Sequence, residues 1–137
     1  MNHTRFIFWG TILSGLAVLF GAFGAHIIAP FFAEIPPNVK QTPPLEVFHT
    51  GVEYQFYHAL ALIITGMLYR QRSNRHIKNA GLLFILGIIL FSGSLYMITI
   101  GYMMHRDLSF IGAITPIGGI SFIIAWILLA FNYNKKS

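Results

Sequence analysis

A chain of 137 residues that is 55% hydrophobic and only 9% charged is far poorer in charge than soluble domains, where charged side chains make up roughly a quarter. Water is therefore excluded as its main solvent. The formal net charge is +5 and there is no cysteine, which excludes disulfides, thiolate catalysis, iron–sulfur clusters and c-type haem attachment together.

Four long apolar runs are readable, at residues 6–28, 50–69, 80–104 and 114–131. Each has roughly the 17–25 residues that carry an α-helix across about 30 Å of hydrocarbon. Only helices and closed barrels satisfy their backbone polar groups in lipid, and these runs lack the alternation of barrel strands. The expected fold is all-α, an integral membrane four-helix bundle. It forms a single domain over residues 1–137, because termini and loops are too short for a second one.

The first run follows Arg5 and carries small residues near Ala22 and Gly24, as secretory leaders do. Its apolar part is longer than the roughly 7–15 residues usual there, so a retained helix is expected. Gly10, Ser14, Ala17, Gly21 and Gly24 recur at intervals of four, three, four and three, which keeps them on one face and lets a neighbouring backbone come close. Pro30, Pro36, Pro37, Pro43 and Pro44 then crowd residues 30–49. Proline lacks a donor and restricts its predecessor, so a Pro-rich outer loop is expected there.

The second run opens with Thr50-Gly51-Val52-Glu53, the form of a capping box. Threonine would accept from an amide of the first turn and the glutamate would reach back, so Glu53 is expected to cap a helix starting at Thr50. His58 falls near the middle of that helix, where polar side chains are expensive and turn to protein or water. At about 100° per residue, Gly51, Tyr54, His58, Ala61 and Thr65 share one stripe with Gln55 at its margin, and Phe56, Leu60, Ile63 and Met67 lie opposite. The first stripe is expected to face the bundle and the second to face lipid. Glu53 sits about 140° around from His58, which argues against an acid–base pair within the helix.

The third run places Ser92, Tyr96 and Thr99 together. His58 is expected to hydrogen-bond Tyr or Ser groups there, as a buried neutral imidazole that fixes helix register or as a ligand or proton site. Gly87, Ser94 and Gly101, seven apart, and Gly118, Ser121 and Ala125 in the fourth run form further small-residue seams. Pro116 suits the first turn of the fourth helix, where a missing donor does no harm.

Charge sets the expected orientation. Arg5, Arg70, Arg72, Arg75, Lys78, Lys135 and Lys136 fall on one side of such a bundle without an acidic residue, whereas Lys40, Arg106, Glu34, Glu46, Glu53 and Asp107 fall on the other. The positive-inside rule then puts both termini in the cytoplasm, in a multi-pass protein of the cell (inner) membrane. Trp9, Tyr69, Trp126 and Tyr133 toward the inner boundary, and Tyr102 toward the outer one, fit interfacial anchors. Because the basic residues are sorted by membrane side, membrane lipid is their expected partner and nucleic acid is not. His26, His49 and His105 collect near the outer boundary and, with His58 or Glu53, are the residues a zinc, copper or haem site would use. No histidine pair has four-residue spacing on one helix, so no metal ligand and no cofactor is assigned; His3 and His76 look merely solvated.

Four strings together carry a resemblance: GAFGAH at Gly21–His26, TGVEYQFYHALAL at Thr50–Leu62, FSGSLY at Phe91–Tyr96, and TPIGG with SFI and a tryptophan between Thr115 and Trp126. They resemble the small membrane proteins gathered as domain of unknown function 423, which include bacterial inner-membrane proteins and the mitochondrial transmembrane protein 256. The resemblance covers all four runs in order and departs at Ala125, where bacterial members have glycine before the tryptophan. It implies a four-helix integral membrane protein and no established activity. The family's distinctive positions, carried over, are His26, Glu53, Tyr54, Gln55, His58, Ser92, Ser94, Tyr96 and Thr115, with Pro116. They imply one polar cluster or ligand pocket under the Pro-rich loop.

The reading that follows is a binding or accessory membrane protein with an outward-facing polar intramembrane pocket, for a small ligand, a lipid or a partner in a membrane-protein complex or homo-oligomer. A metal-, haem- or quinone-binding redox subunit and a small proton or solute pathway are the alternatives; the inverted repeats and broken helices of transporters are not visible. No nucleophile with a placed base marks an enzyme, and no catalytic residue is assigned.

Overall fold

The computed structural model describes residues 1–33 and 44–134, and no strand occurs among them. Four long helices follow the four apolar runs: α1 over His3–Phe32, α2 over Pro44–Gln71, α3 over Arg75–Met103 and α4 over Thr115–Asn134. Glu34, Pro36, Pro37, Lys40 and Pro43 of the expected outer loop lie outside the described residues, as do Lys135 and Lys136.

Local chemistry explains why the helices outrun the apolar runs. α1 starts after Asn2, whose side chain accepts from Arg5 N at 3.0 Å. A loop is expected from Pro30, yet α1 passes through it. The turn Gly24–Ile28 is of the wider π type, with the Ala29 N–H donating to Gly24 O. Pro30 has no donor and would crowd the carbonyl four residues back, and it follows directly on that widened turn.

α2 corrects the expected start at Thr50. Pro44 leads it and Glu46 occupies its first turn, a position where proline's missing donor does no harm and a carboxylate meets the positive end of the dipole. Thr50 is therefore an interior residue whose hydroxyl donates back to Glu46 O at 2.9 Å. Glu53 is exposed well inside the helix, so the capping role expected for it has no counterpart in the fold.

Asn74 opens α3: its side-chain oxygen accepts from His76 N at 2.6 Å and Ile77 N at 3.3 Å, while its amide donates to Asn132 Oδ1 near the end of α4. One residue thus caps a helix and holds a second. α3 contains its own π turn, Ile88–Ser92, with the Gly93 N–H donating to Ile88 O. It ends at His105, which has φ 54°. There Arg106 N donates to Gly101 O at 2.8 Å and His105 N to Tyr102 O at 3.1 Å, the paired bonds of a Schellman end with histidine where glycine is usual. Asp107 then accepts from Ser109 N at 2.9 Å ahead of the 3-10 turn Ser109–Ala113. Hydrogen bonds from the Ser109 side chain and backbone hold that carboxyl below the usual carboxylate range.

α2 lies between α1 and α3, and α4 packs along α3. The small residues allow the close approach: a Cβ at Gly10 would come within 2.6 Å of the Ile63 side chain and 2.9 Å of Ala59 O, and Gly118 sits against the backbone of Phe91. Phe6, Leu62, Ile77 and Phe84 build a fully buried apolar core in the half near the α2–α3 turn. Gln55, Ser92, Ser94 and Thr99 are buried nearer the other end.

α1, α3 and Ser109–Asn132 are long and apolar enough to cross a membrane. α2, at 28 residues, is close to α1 and α3 in length but is not in that set. Glu46, His49, Glu53 and Gln55 dilute its first half, and His58 opens the second.

Candidate functional site

The polar residues of α2 divide by helix face. Gly51, Gln55, His58, Ala61 and Thr65 are buried, as their shared stripe predicts, whereas Tyr54 is only partly covered. Leu60 and Met67 are exposed, with Phe56 and Ile63 intermediate.

Gln55 joins three helices. Its Nε2 donates to Leu13 O of α1 at 2.9 Å, and its Oε1 accepts from the Tyr96 hydroxyl of α3 at 2.9 Å. A side-chain amide has donors at one end and an acceptor at the other, so both neighbours are met without a charge. Tyr96 is fixed by rings as well: Phe20 packs edge-on at 5.1 Å and Phe48 at 5.1 Å between ring centroids.

Two further hydroxyls extend this layer. Ser94 Oγ donates to Phe91 O at 2.8 Å, which leaves it to accept from Thr115 Oγ1 at 2.6 Å and ties α3 to the first residue of α4. Thr99 Oγ1 lies 3.2 Å from Pro44 O and 3.1 Å from Leu95 O, reaching the first residue of α2.

His58 departs from its expected partners. It does not hydrogen-bond α3; its Nδ1 lies 2.8 Å from Tyr54 O of its own helix. A carbonyl only accepts, so Nδ1 carries the proton of this bond. The ring lies flat on Phe122 of α4, 3.5 Å away with a 6° interplanar angle. Phe84 and Trp126 stand 5.8 Å and 6.4 Å from it, and Tyr54 closes the box at 5.8 Å while stacking on Phe91 at 4.5 Å. The reason is rotational: His58 lies about 60° around the helix from Gln55, so Gln55 meets α1 and Tyr96 while His58 meets the aromatic rings of α3 and α4.

Ser92 is wholly buried, and its Oγ has no hydrogen-bond partner. It occupies the last position of the α3 π turn, next in chain to Phe91. π turns inside helices are frequent at functional sites, and a buried unpaired hydroxyl calls for an explanation.

The remaining expected positions lie apart from this layer. His26 is exposed within the π turn of α1, and Glu53 is exposed on α2. His49 lies near Gly24, and His105 ends α3. Among the described residues, no group of three or more His, Asp or Glu side chains is arranged to hold a metal ion. A cavity of about 520 Å³ opens at the opposite end, between Met1, Asn2, His3, Arg5, Tyr69 and Ser73.

Sequence reasoning missed Phe122, Phe84 and the Leu13 carbonyl. Phe122 and Trp126 stand four apart on α4, and Gly87 makes room for the Phe122 ring; an aromatic pair at that spacing opposite a glycine is the signal that marks them. A backbone carbonyl inside a helix carries no such mark.

Comparison with known proteins agrees with a membrane protein. The model of the family described as "Protein of unknown function (DUF423)" matches residues 20–119. The chain is 43% identical over 125 residues to the UPF0382 membrane protein YwdK of Bacillus subtilis, covering 90% of this chain and 91% of the relative. It is 35% identical over 130 residues to a UPF0382 membrane protein of Staphylococcus epidermidis, covering 95% of each. With the UPF0382 inner membrane protein YgdD of Escherichia coli it shares 32% over 127 residues, covering 92% of this chain and 87% of the relative. No solved structure matches. The matching family model, three helices able to cross a bilayer and these relatives together establish that the chain is a membrane protein belonging to the DUF423 family.

Proposed function

We propose that the chain is a multi-pass protein of the cell (inner) membrane, a four-helix transmembrane bundle with both termini in the cytoplasm, acting as a binding or accessory protein through a polar intramembrane pocket that opens outward. The observation that carries the binding reading is Ser92: a buried hydroxyl without a partner, in a π turn next to the Phe91–Tyr54 stack. Its neighbours in the polar layer already satisfy one another, so Ser92 Oγ is the group left for a ligand to engage. The ligand class is a small neutral or lipid-like molecule with an acceptor or hydroxyl, because Ser92 is wholly buried and, among the described residues, no Lys, Arg, Asp or Glu is buried.

Orientation is supported by charge. Arg70, Arg72, Arg75 and Lys78 flank the α2–α3 turn, and Arg5 lies at the same end against Tyr69 and Ser73 in one cleft, so the positive-inside rule places that end in the cytoplasm. The Escherichia coli relative is named as an inner membrane protein, which supports the compartment. α2 would cross as the sheltered member of the set, with Gln55 and His58 turned inward.

The test is extraction of the full chain from native membranes into lipid nanodiscs, followed by mass spectrometry of what stays bound. A molecule retained by the native chain and lost from Ser92→Ala is the expected result. Because Ser92→Ala removes an unpaired hydroxyl, it should melt at the same temperature or slightly higher. Identical bound species in both, with equal stability, would overturn the pocket.

A further inference from the structure

The outward face of α2 does not suit lipid. Glu46, Glu53, Tyr57, Leu60, Ile64 and Met67 fall on it at intervals of seven, four, three, four and three, and all six are exposed. Such spacing is the seam of a paired helix. Its lower part is apolar, but Tyr57 is 56% exposed and Glu53 is an exposed carboxylic acid.

Depth makes this unusual. Val52 lies against Gly21 of α1, and Gly51 lies against Tyr96 of α3. Beyond those levels, α1 goes on through exposed Phe23, Ile27 and Phe31, and α3 through exposed Met97, Ile100 and Met104. Apart from His26 of α1, the exposed side chains of the neighbours therefore stay apolar for some eight to ten residues past Glu53, about 12–15 Å at 1.5 Å per residue. Ionisable groups at such depth turn to protein or to water, and one directed at acyl chains implies a covering partner.

We propose that this face is covered by α2 of a second copy of the chain, with each Glu53 accepting a hydrogen bond from the partner's Tyr57. The seam is self-complementary in the sense a two-fold pair requires: an acceptor and a phenolic donor stand one turn apart on one face. Copies inserted in the same orientation present parallel α2 helices, and helical side chains lean toward the N-terminus. The Tyr57 ring is thereby directed toward the level of Glu53 on the facing helix, and the two bonds repeat about the axis. Leu60, Ile64 and Met67 supply the apolar part of the contact. This inference rests on α2 crossing the membrane, as in the four-helix reading above.

The absence of cysteine makes the test direct. Single variants Leu60→Cys and Ile64→Cys, in the full chain in native membranes, should form disulfide-linked dimers on mild oxidation. Leu19→Cys on α1 and Ile123→Cys on α4, which are also exposed, should give at least about tenfold less. In the Leu60→Cys background, Glu53→Ala or Tyr57→Phe should each lower the yield severalfold, and the two together should lower it no further, because they share one bond. Equal cross-linking on all faces would overturn the proposal. So would cross-links from Leu60→Cys to a species of another mass, which would show a different protein on the seam. A yield indifferent to both Glu53 and Tyr57 would remove the paired hydrogen bonds and the proposal with them. Rapid labelling of Leu60→Cys by a membrane-impermeant maleimide would instead show that α2 does not cross, a failure of the underlying reading that is distinct from failure to pair.

Discussion

Gln55 and His58 stand less than one turn apart on α2, yet their surroundings share almost nothing. Gln55 is knitted by its amide to a carbonyl of α1 and a hydroxyl of α3. His58 spends its one described hydrogen bond on its own helix and lies against aromatic rings. Both are buried. The difference teaches that polarity at membrane depth is handled in two ways, by a directional bond between helices or by a bond within the helix combined with an aromatic enclosure. Only the first ties separate helices through the residue's own polar atoms.

The comparison can be broken most forcefully at the floor of the histidine's box. Phe122→Ala removes the ring that covers His58 and fills the space beside Gly87, and should destabilise by about 3–5 kcal/mol, read as a fall in the thermal midpoint in detergent. Gln55→Leu should follow at about 2 kcal/mol, since it leaves the Tyr96 hydroxyl buried without an acceptor. Tyr96→Phe should weaken the fold by about 1 kcal/mol, and the double variant should be more stable than the sum of the two, because both members of one bond are gone. His58→Phe should change stability by less than about 0.5 kcal/mol. Tyr54 O keeps a place in its own helix, and a second ring can stack on Phe122. A large loss there would show that His58 contacts something beyond its rings. Smallest of all is the response to acid at Asp107. Its carboxyl is held below the usual range by Ser109, so the contribution is present above the unfolded carboxylate pKa and fades as pH falls through the lower folded value. It is fully solvated, and the thermal midpoint should barely move across that range.

Much of this was readable without coordinates, and the exceptions have physical causes. The number of long helices, the small-residue seams and the inward stripe of α2 all rest on composition and on the repeat of the helix, which survive in any arrangement of neighbours. Glu53 was misassigned because a capping box looks the same wherever it falls; Pro44 and Glu46 start the helix earlier and leave Thr50 and Glu53 as interior residues. His58 was expected to hydrogen-bond Tyr or Ser groups of α3, but periodicity gives a direction around one helix and not which groups of the neighbour stand there; it meets the Phe84 ring of α3 instead. Pro30 reads as a stop unless the π turn before it is known. His105 drew attention as a ligand type, whereas its backbone conformation, which no side-chain pattern reveals, makes it the end of a helix.

The π turn over Ile88–Ser92 ties the outer part of α3 to an exact residue count. A π turn holds one residue more than an α turn, so restoring ordinary winding of about 100° per residue while keeping all five residues of 88–92 would swing Gly93–Met103 by roughly that angle. Tyr96 would leave Gln55, Ser94 would leave Thr115 and Thr99 would leave Pro44 in a single step. In an otherwise greasy segment, tightening that turn with every residue kept would act like a misfolding lesion, whereas the loss of a single codon within it would let the turn close as an α turn and hold the outer part of α3 in phase.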